Sequence, residues 1–558
     1  MNLIGNINAI PFRRFRGGGG VTPFPSIPGM IARYSALGLT NEQMAANPVW
    51  VDKTGNGHDL QMKNFLWGGM SGVGGYNQNF NQWGYGNLSP ATQTHTSYKI
   101  ELSVPSTLKT ANIYSNANSI GKEGDVYDFT LNIVGLKDGA LLRITKGVVS
   151  GVIERIEKDG IYKIYQPIEA GWDQPRIYIF ISNPNLVDLN ITIEQLPLYP
   201  GALVFDGVDD SGVCNNFPIL TKEKGYTVVA LRQWISMGEG ISGLVSNVKN
   251  WFNDGAFILE YNSNNATNKF VNRPVSFGNV NIEMDLPNNF TYQTSKSYKG
   301  VPITTGSFKG TNSLFVGKLN NIIGNCSNVA IWELVFLDHD ATEEELTKIK
   351  DYFVKTYPWL FPDQAWTVTG KTNEDEDRAT IANITGNGND LILSNFGFIE
   401  GSGYNEEGEY AGYLVTDGVD DKITSSIFKM GNDWTVIGDW ELINTGKNDN
   451  AGIVKFDSIV IYNYNSMLIN IKNGRNILIP DQNTVNAICS DGRIYSKDWK
   501  ESIYNEETES TSKNFLTIGY SGNTYTKIAF KNLAIYPTVL SKEDCIKAYN
   551  YLQTLKAK

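Results

Sequence analysis

The sequence has little of what most catalytic and metal sites are built from. Its 558 residues include three histidines, His58, His95 and His339. His58 lies in a segment that recurs later in the chain, where Asn389 takes its place. A histidine-based triad or metal site common to both copies would need the residue in each. We therefore expect no histidine chemistry and predict that the protein is not an enzyme.

Cysteine is also scarce, and its spacing excludes two kinds of framework. The four cysteines are Cys214, Cys326, Cys489 and Cys545, and no two of them form a C-x-x-C pair. A structural zinc site or a disulfide scaffold is therefore not predicted. Four free thiols suit assembly in a reducing cytoplasm.

Long apolar runs are missing throughout. No stretch approaches the roughly 20 apolar residues that a membrane helix needs. Residues 1–30 also lack the apolar core of a secretion signal, and Arg13, Arg14 and Arg16 follow the apolar residues instead of preceding them. We expect a soluble protein that is made in the cytoplasm without a secretion signal.

Charge is limited and mostly negative. Charged residues make up 19% of the chain, and the formal net charge is −11. This balance argues against nucleic acid or an anionic membrane as a partner. The 55 glycines, 28 tyrosines, 25 phenylalanines and 12 tryptophans are typical of an all-β protein, in which aromatic residues favour strands and glycine favours tight turns.

Three short sequence motifs, which we call words, each occur twice and in the same order along the chain. Thr-Gly-Asn-Gly begins at Thr54 and again at Thr385, and Asp-Gly-Val-Asp-Asp begins at Asp206 and at Asp417. A looser Asn-x-Ala-Ile-aromatic word begins at Asn328 and at Asn532. Matching words in matching order indicate a duplicated domain, and the first copy holds about 120 extra residues between its first two words.

The repeats predict three β-sandwiches. Residues 30–91 and 200–361 would form a discontinuous first jelly roll, 92–199 an inserted β-sandwich, and 362–558 a second jelly roll. Within this frame, 66–91 is expected to be a loop. Helices are predicted over 342–357, capped by Asp340 or Thr342, and after Ser541 near the C-terminus.

Residues 1–29 precede these units and have an unusual composition. An aromatic and basic cluster is followed by the glycine hinge 17–20 and by three prolines at 23, 25 and 28. A disordered tail is one interpretation. The other is a docking peptide, because arginine and aromatic residues anchor interfaces. The anchor residues would be Phe12, Arg13, Arg14, Phe15 and Arg16.

The repeated words resemble those of laminin-G-like, concanavalin-A-like jelly rolls, over residues 30–65 with 201–357 and over 362–556. The resemblance implies two curved antiparallel sheets per copy, which often bind glycans or proteins and sometimes hold Ca²⁺. The whole arrangement also resembles fibre and decoration proteins of crAss-like tailed phages of gut Bacteroidales, through its Phe-Arg-Arg-Phe-Arg-Gly segment and its Asn, Gly and aromatic bias. Such a protein would lie on the virion surface.

The repeated acidic word has two interpretations. Asp side chains cap their own turns, and clustered carboxylates can also hold Ca²⁺. Both remain open, and no other cofactor is predicted. The residues concerned are Asp206, Asp209, Asp210, Asp417, Asp420 and Asp421.

Glycan binding would use exposed aromatic rings with polar groups beside them. Packing in a core or an interface is the alternative for each candidate. The candidates are Trp67, Trp83 and Tyr85 in the predicted loop, and Trp172, Asp173 and Gln174 in the inserted sandwich.

These inferences predict a structural virion protein, a head or tail fibre or decoration protein. It would dock on other virion proteins by its N-terminus, present its sandwiches to a host-surface glycan, and form a dimer or trimer. The alternatives are a glycan-degrading enzyme of the same fold and a bacterial surface adhesin. The acidic run 374–377 lies in a polar loop and does not predict the paired carboxylates of a glycosidase.

Overall fold

The computed structural model describes a chain built mainly from antiparallel strands. The described residues are 23–85, 89–115, 126–146, 151–168, 176–236, 241–248, 257–263, 271–273, 282–283, 289–302, 310–320, 326–426, 431–443, 451–456, 459–463, 467–471, 475–479, 485–497, 499–503, 516–521 and 524–557. The predicted all-β class is confirmed. The predicted anchor residues 12–16 lie outside the described residues.

Three α-helices interrupt the strands of the described residues. They are α1 (Asn41–Ala46), α2 (Glu343–Thr356) and α3 (Lys542–Leu552). Thr342 caps α2 through a capping box with Glu345, and Ser541 caps α3 by accepting from the Asp544 amide. Both predicted helices are present, whereas α1 was not predicted. Within the described residues, none of the helices is long and apolar enough to cross a membrane.

The first sandwich takes strands from both sides of an insertion. The strands before it are β1 (Met30–Ser35), β2 (Val49–Trp50), β3 (Leu60–Lys63) and β4 (Gly72–Val73). The inserted strands are β5 (Gly84–Tyr85), β6 (Thr92–His95), β7 (Lys99–Val104), β8 (Thr110–Tyr114), β9 (Val126–Val134), β10 (Leu141–Thr145), β11 (Val152–Ile156), β12 (Gly160–Pro167), β13 (Tyr178–Ser182) and β14 (Leu189–Gln195). The strands after it are β15 (Leu203–Asp206), β16 (Ser211–Cys214), β17 (Thr227–Ser236), β18 (Ile241–Val248), β19 (Ile258–Ser263), β20 (Val271–Arg273), β21 (Ile282–Glu283), β22 (Phe290–Thr294), β23 (Ser297–Tyr298), β24 (Val301–Pro302), β25 (Gly310–Val316) and β26 (Asn328–Leu337).

Strands that flank the insertion pair with each other. One sheet runs β24-β23-β22-β17-β26-β15-β4, with β1 also on β26, and the other runs β2-β3-β16-β25-β18-β19-β20-β21. Lys63 lies opposite Ser211, and Val73 lies opposite Leu203. Residues that are far apart in sequence therefore share both sheets of one sandwich.

The central strands are apolar on both faces because both faces are covered. In β26, Ile331, Leu334 and Phe336 pack in the core between the two sheets. Val335 and Leu337 point the other way, into a second cluster that includes α2. This explains why β17 and β26 read as nearly continuous apolar runs without alternation.

The second sandwich repeats the first. Its strands are β27 (Gln364–Thr367), β28 (Thr380–Ile381), β29 (Leu391–Ser394), β30 (Gly403–Tyr404), β31 (Leu414–Val415), β32 (Lys422–Ser425), β33 (Thr435–Leu442), β34 (Ala451–Phe456), β35 (Ile459–Asn463), β36 (Met467–Ile471), β37 (Arg475–Ile479), β38 (Val485–Cys489), β39 (Arg493–Ser496), β40 (Glu501–Ile503), β41 (Thr517–Ile518), β42 (Tyr520–Ser521), β43 (Thr524–Tyr525) and β44 (Ile528–Tyr536). The sheets run β30-β31-β44-β33-β38-β39-β40, with β27 on β44, and β28-β29-β32-β41-β34-β35-β36-β37. A separate β42-β43 hairpin accompanies them.

The strand register shows that the third repeated word does not align equivalent residues of the two copies. Thr227 of β17 lies opposite Leu337, and the matching Thr435 of β33 lies opposite Tyr536. Leu337 and Tyr536 are therefore equivalent, whereas the sequence words had aligned Trp332 with Tyr536. Strands with nearly continuous apolar runs contain similar short words in several registers, so the Asn-x-Ala-Ile match was a coincidence of pattern.

The inserted strands form two five-stranded sheets, β11-β10-β13-β8-β5 and β12-β9-β14-β7-β6. Alternate residues of each strand face a shared apolar core. Phe80 and Trp83 also lie in this core, and β5 pairs with β8. The inserted sandwich therefore takes residues from the segment that was expected to be a loop of the first jelly roll.

One apolar cluster joins the first and second sandwiches across α2 and α3. Asn289 of the first sandwich donates hydrogen bonds to the Tyr551 hydroxyl at 2.9 Å and to the Leu360 carbonyl at 3.1 Å. Ile27 is buried in the same cluster, and Phe24 packs against it. Residues 23–29 therefore belong to the body, although they were predicted to be part of the N-terminal anchor.

Candidate functional site

The repeated acidic word forms a tight turn in the first sandwich. Oδ1 of Asp206 accepts hydrogen bonds from the backbone amides of Val208 at 2.8 Å and Asp209 at 3.4 Å. Oδ2 of Asp210 accepts from the Asp206 amide at 3.0 Å, and its Oδ1 accepts from the Ser71 hydroxyl at 3.0 Å. The carboxylates therefore close the turn and tie it to the segment before β4.

The second sandwich has the same turn. Oδ1 of Asp417 accepts from the amides of Val419, Asp420 and Asp421 at 2.7, 3.2 and 3.3 Å. Oδ2 of Asp421 accepts from the Asp417 amide at 2.8 Å. Gly418 has φ of +76° and Gly207 of +81°, which glycine adopts without strain. The conformation of the turn thus accounts for the Asp-Gly-Val-Asp-Asp spacing.

One carboxyl in each turn is buried, and burial changes its acidity. Desolvation raises the pKa of Asp210 to about 7, and the neighbouring carboxylates Asp206 and Asp209 add to the rise. Burial likewise raises the pKa of Asp421 to about 6. The middle acidic residues, Asp209 and Asp420, are exposed to solvent.

An aromatic loop lies beside each acidic turn. Asn64 donates a side-chain hydrogen bond to the Asp209 carbonyl at 3.1 Å, and Asn395 donates to the Asp420 carbonyl at 3.0 Å. In the first copy the ring of Trp67 stacks on Phe65 with centroids 4.7 Å apart. We call residues 64–72 with 206–210 the first tip, and 395–403 with 417–421 the second tip. The structure thus brings the predicted Trp67 next to the predicted acidic residues.

Both tips expose aliphatic side chains. Leu66 and Val208 are 69% and 76% exposed in the first tip, and Ile399 and Val419 are 64% and 71% exposed in the second. Single exposed aliphatic residues are ordinary. Each tip, however, exposes two aliphatic side chains beside a half-buried aromatic ring, which is Trp67 in the first tip and Phe398 in the second. Each tip therefore has a mixed apolar and acidic surface.

The same tips contain the predicted calcium ligands. In each turn the three carboxylates have one oxygen apiece within 4.8 Å of one another. Oxygen ligands at such separations are of the type that Ca²⁺ uses, so the donor set fits. Asp206, Asp209 and Asp210 would hold an ion in the first tip, and their counterparts Asp417, Asp420 and Asp421 in the second. Asp206, Asp210, Asp417 and Asp421 also accept hydrogen bonds within the turn.

The other predicted glycan-binding residues have different surroundings. Trp83 is only 4% exposed and packs on Phe80 in the core of the inserted sandwich, with ring centroids 4.9 Å apart. Its ring faces are covered, which corrects the expectation that it offers a stacking surface. Tyr85 lies in β5, opposite Ile113 of β8. Trp172, Asp173 and Gln174 lie outside the described residues.

The sequence reasoning missed another aromatic surface. Tyr114, Tyr178 and Phe180 lie half-buried on the outer face of sheet β11-β10-β13-β8-β5. Their neighbours Ile113, Ile179 and Ile181 face the core. The alternation in 110–114 and 178–182 could have revealed this surface, because aromatic rings occupy positions where polar residues are expected.

Acidic groups inside the first sandwich and in the polar loop are engaged in structural contacts. Glu260 accepts from Arg232, Trp234, Thr291 and Tyr298, and it is buried in the first sandwich. In the polar loop, Asp375 accepts from the Thr372 amide at 2.8 Å, and Asp377 pairs with Lys371 at 2.6 Å. Neither arrangement leaves two carboxylates flanking an open cleft, as glycoside hydrolysis requires.

Comparison with known proteins shows neither a family nor a function. The sequence matches no protein-family profile and no curated protein. Among solved structures, Trypanosoma rangeli sialidase in complex with sialic acid is similar at 9% identity and a TM-score of 0.22, covering 86% of this chain and 97% of that one. The binding domain of botulinum neurotoxin serotype D is similar at 10% identity and a TM-score of 0.21, covering 62% and 88%. Likenesses this low do not assign a function.

Proposed function

We propose that this chain is a non-enzymatic surface protein of a tailed-phage virion, a head or tail fibre or decoration protein. It docks on other virion proteins through its N-terminal segment and presents its sandwiches to a host-surface glycan. The tandem organisation and the resemblance to laminin-G-like jelly rolls support a binding role. Self-association into a dimer or trimer fits the symmetry of most such assemblies.

The observation that carries the docking part is that Phe24, which follows the basic cluster and the glycines in sequence, is fastened to the body. Phe24 packs on Arg33 and Tyr352, with its ring 4.2 Å from the Arg33 guanidinium carbon and 4.8 Å from the Tyr352 ring. The aromatic and basic cluster 12–16 precedes this fastening point, with Gly17–Gly20 between them. In an otherwise acidic protein, a short basic foot ahead of glycines is suited to an acidic site on another protein.

A truncation tests the docking role. Tagged full-length chain and a chain that lacks residues 1–22 would be expressed in the host during infection, and each would be quantified on purified particles. We expect the truncated chain to be soluble and missing from particles. A full-length chain with Arg13, Arg14 and Arg16 changed to Glu keeps the length and reverses the charge, and it should also be missing. Incorporation of the truncated chain at the full-length level would overturn the docking proposal.

The glycan part is tested separately. The purified full chain would be applied to a glycan array, and glycans that it retains would be incubated with it and analysed for released oligosaccharides. We expect retention without release. Release of oligosaccharides would identify a glycan-degrading enzyme, and an array without retained glycans would contradict the glycan role while leaving the docking result untouched.

A further inference from the structure

The outer face of sheet β11-β10-β13-β8-β5 carries a continuous row of aromatic rings. Tyr178 lies directly opposite Tyr114 on the neighbouring strand, and their ring centroids are 5.4 Å apart. Phe180 follows two residues later on the same face, stacked with Tyr178 at 5.9 Å and an interplanar angle of 15°. We call Tyr114, Tyr178 and Phe180 the aromatic platform.

Two guanidinium groups border this platform. Arg143 lies opposite Phe180 across β10 and β13, with its guanidinium carbon 5.8 Å from the Phe180 ring centroid. Arg176 lies 5.4 Å from the ring of Tyr114. Within the part of the chain that the structure describes, neither arginine forms an ion pair with a carboxylate. In a protein with a net charge of −11, the described part of this face therefore carries a local positive charge.

The platform is held in place by its strands. A Cβ atom at Gly84 of β5 would lie 2.3 Å from Cε2 of Tyr114, so the ring rests directly over the glycine. Tyr178 and Phe180 are fixed by a strand that pairs on both sides, with β10 and with β8. Rings fixed on a sheet lose little conformational freedom when a ligand binds.

We propose that this platform binds an acidic glycan. The apolar faces of pyranose rings would stack on Tyr114, Tyr178 and Phe180, as sugar rings do on aromatic side chains. Carboxylate or sulfate groups of the same glycan would accept hydrogen bonds from Arg143 and Arg176, because the guanidinium fork matches planar oxyanions. The inference rests on the proposed glycan role and names both a site and a charge class for it.

The opposite sheet of the inserted sandwich offers a contrast. Its outer face has a shallow groove of about 310 Å³, lined by polar groups that include Thr94, Ser103, Asn190 and Thr192. The acidic Glu101 also lines it and is held by Lys99 at 2.8 Å. This groove has neither an aromatic ring nor an arginine among its lining residues, and its variants serve as controls on the same domain.

The test compares full-length chains on one polymer with and without charge. The probes are polygalacturonate and its fully methyl-esterified form, which keeps the sugar rings and removes the carboxylates. The platform variants are Tyr178→Ala with Phe180→Ala, and Arg143→Gln with Arg176→Gln. The matched controls are Tyr165→Ala, an exposed tyrosine on the other sheet, and Asn190→Ala in the groove. Dissociation constants would be measured at low and high salt, and thermal unfolding would show that each variant folds.

We expect polygalacturonate to bind more tightly than its ester, and salt to weaken that binding. The aromatic double variant should weaken binding about tenfold or more for both polymers. The arginine double variant should weaken only the acidic one, and both controls should bind as the unmodified chain does.

Three results would overturn the inference. Unchanged binding in the platform variants, or loss of binding in Asn190→Ala, would place the glycan elsewhere and leave the proposed glycan role intact. Failure of the unmodified chain to retain either polymer, combined with retention of neutral glycans on the array, would refute the acidic class alone. If the array also retains no glycan, the broader glycan role fails as well.

Discussion

Arg232 and Glu260 form a bidentate ion pair inside the first sandwich. Nε of Arg232 lies 2.7 Å from Oε2 of Glu260, and Nη2 lies 2.6 Å from Oε1. The two residues come from opposite sheets, on β17 and β19, so the pair spans the core. Burial opposes ionisation of Glu260, but the facing guanidinium outweighs it and holds the pKa of the carboxyl below its ordinary value. The second sandwich has Trp440 at the position of Arg232. Arg232 directly follows a register shift between β17 and β26, and Trp440 directly follows the matching shift between β33 and β44.

We predict that Arg232→Met strongly destabilises the protein. It leaves the buried Glu260 carboxylate without a countercharge, at a cost of about 3–5 kcal/mol. The double variant Arg232→Met with Glu260→Gln should recover part of the loss, because a neutral amide needs no counterion and can still accept from Thr291 and Tyr298. Thermal unfolding of the three chains measures both effects. Equal unfolding temperatures for Arg232→Met and the unmodified chain would show that the pair contributes no stability.

This ion pair marks a limit of what the sequence can predict. The repeated words predicted two related sandwiches, and turn and capping chemistry placed the Asp-Gly-Val-Asp-Asp turns, Thr342 and Ser541. Those features depend on neighbours within a few residues. The contact between Arg232 and Glu260 joins strands from two sheets, and Trp440 in the other copy gives no hint of a charge there.

The errors in the site prediction have a similar origin. Trp83 lies in a segment rich in Gly and Asn that suggested an exposed loop, but the segment crosses into the inserted sandwich and buries the ring. Alternation around Tyr114 and Tyr178 could have indicated two strands with outward-facing rings, but the sequence did not indicate that these two strands pair with each other. Local patterns therefore predicted the elements, whereas pairing between distant strands determined the surfaces.

Residues 23–29, which we call the N-terminal strap, provide a second prediction. A chain that lacks residues 1–22 should unfold at the same temperature as the full chain, whereas loss of residues 1–29 should lower that temperature. The longer deletion removes Phe24 and Ile27 from their packing against Arg33 and the shared cluster. Full burial of a side chain such as Ile27 contributes about 1.5–3 kcal/mol, and the partly buried Phe24 contributes less. The full-length variant Phe24→Ala with Ile27→Ala should reproduce the loss, and equal stability of the two truncations would show that the strap does not fasten the body.

Protonation of the acidic turn should make stability depend on pH. The pKa of Asp210 is about 7 in the folded chain, against roughly 3.9 when unfolded. The folded state therefore holds a proton that the unfolded state releases, and this contribution is fully present below about pH 4 and lost as pH rises to about 7. Asp421 acts in the same direction up to about pH 6.

Asp210→Asn isolates this effect. The amide stands in for the protonated acid, so the unfolding temperature of the variant relative to the unmodified chain should rise between pH 4.5 and about pH 7 and then level off. Asp209→Asn removes an exposed carboxylate that makes only a small contribution to the raised pKa of Asp210, so it should show a much smaller slope. A difference between Asp210→Asn and the unmodified chain that is constant over this range would refute the assigned protonation.

The effect of Ca²⁺ on thermal unfolding distinguishes the two interpretations of the acidic turns, a structural turn and a calcium site. Oδ1 of Asp206 and Asp417 accepts two and three backbone amides respectively, and the buried Asp210 and Asp421 each accept another. Because these bonds complete the turns without a metal, we expect millimolar Ca²⁺ to leave the unfolding temperature at pH 8 unchanged, as Mg²⁺ should. A rise specific to Ca²⁺ that disappears in a chain carrying Asp209→Asn and Asp420→Asn would contradict this expectation and assign a calcium ion to each tip. The exposed middle carboxylates are the right ones to remove, since their loss takes away metal ligands and spares the side-chain hydrogen bonds that close the turns.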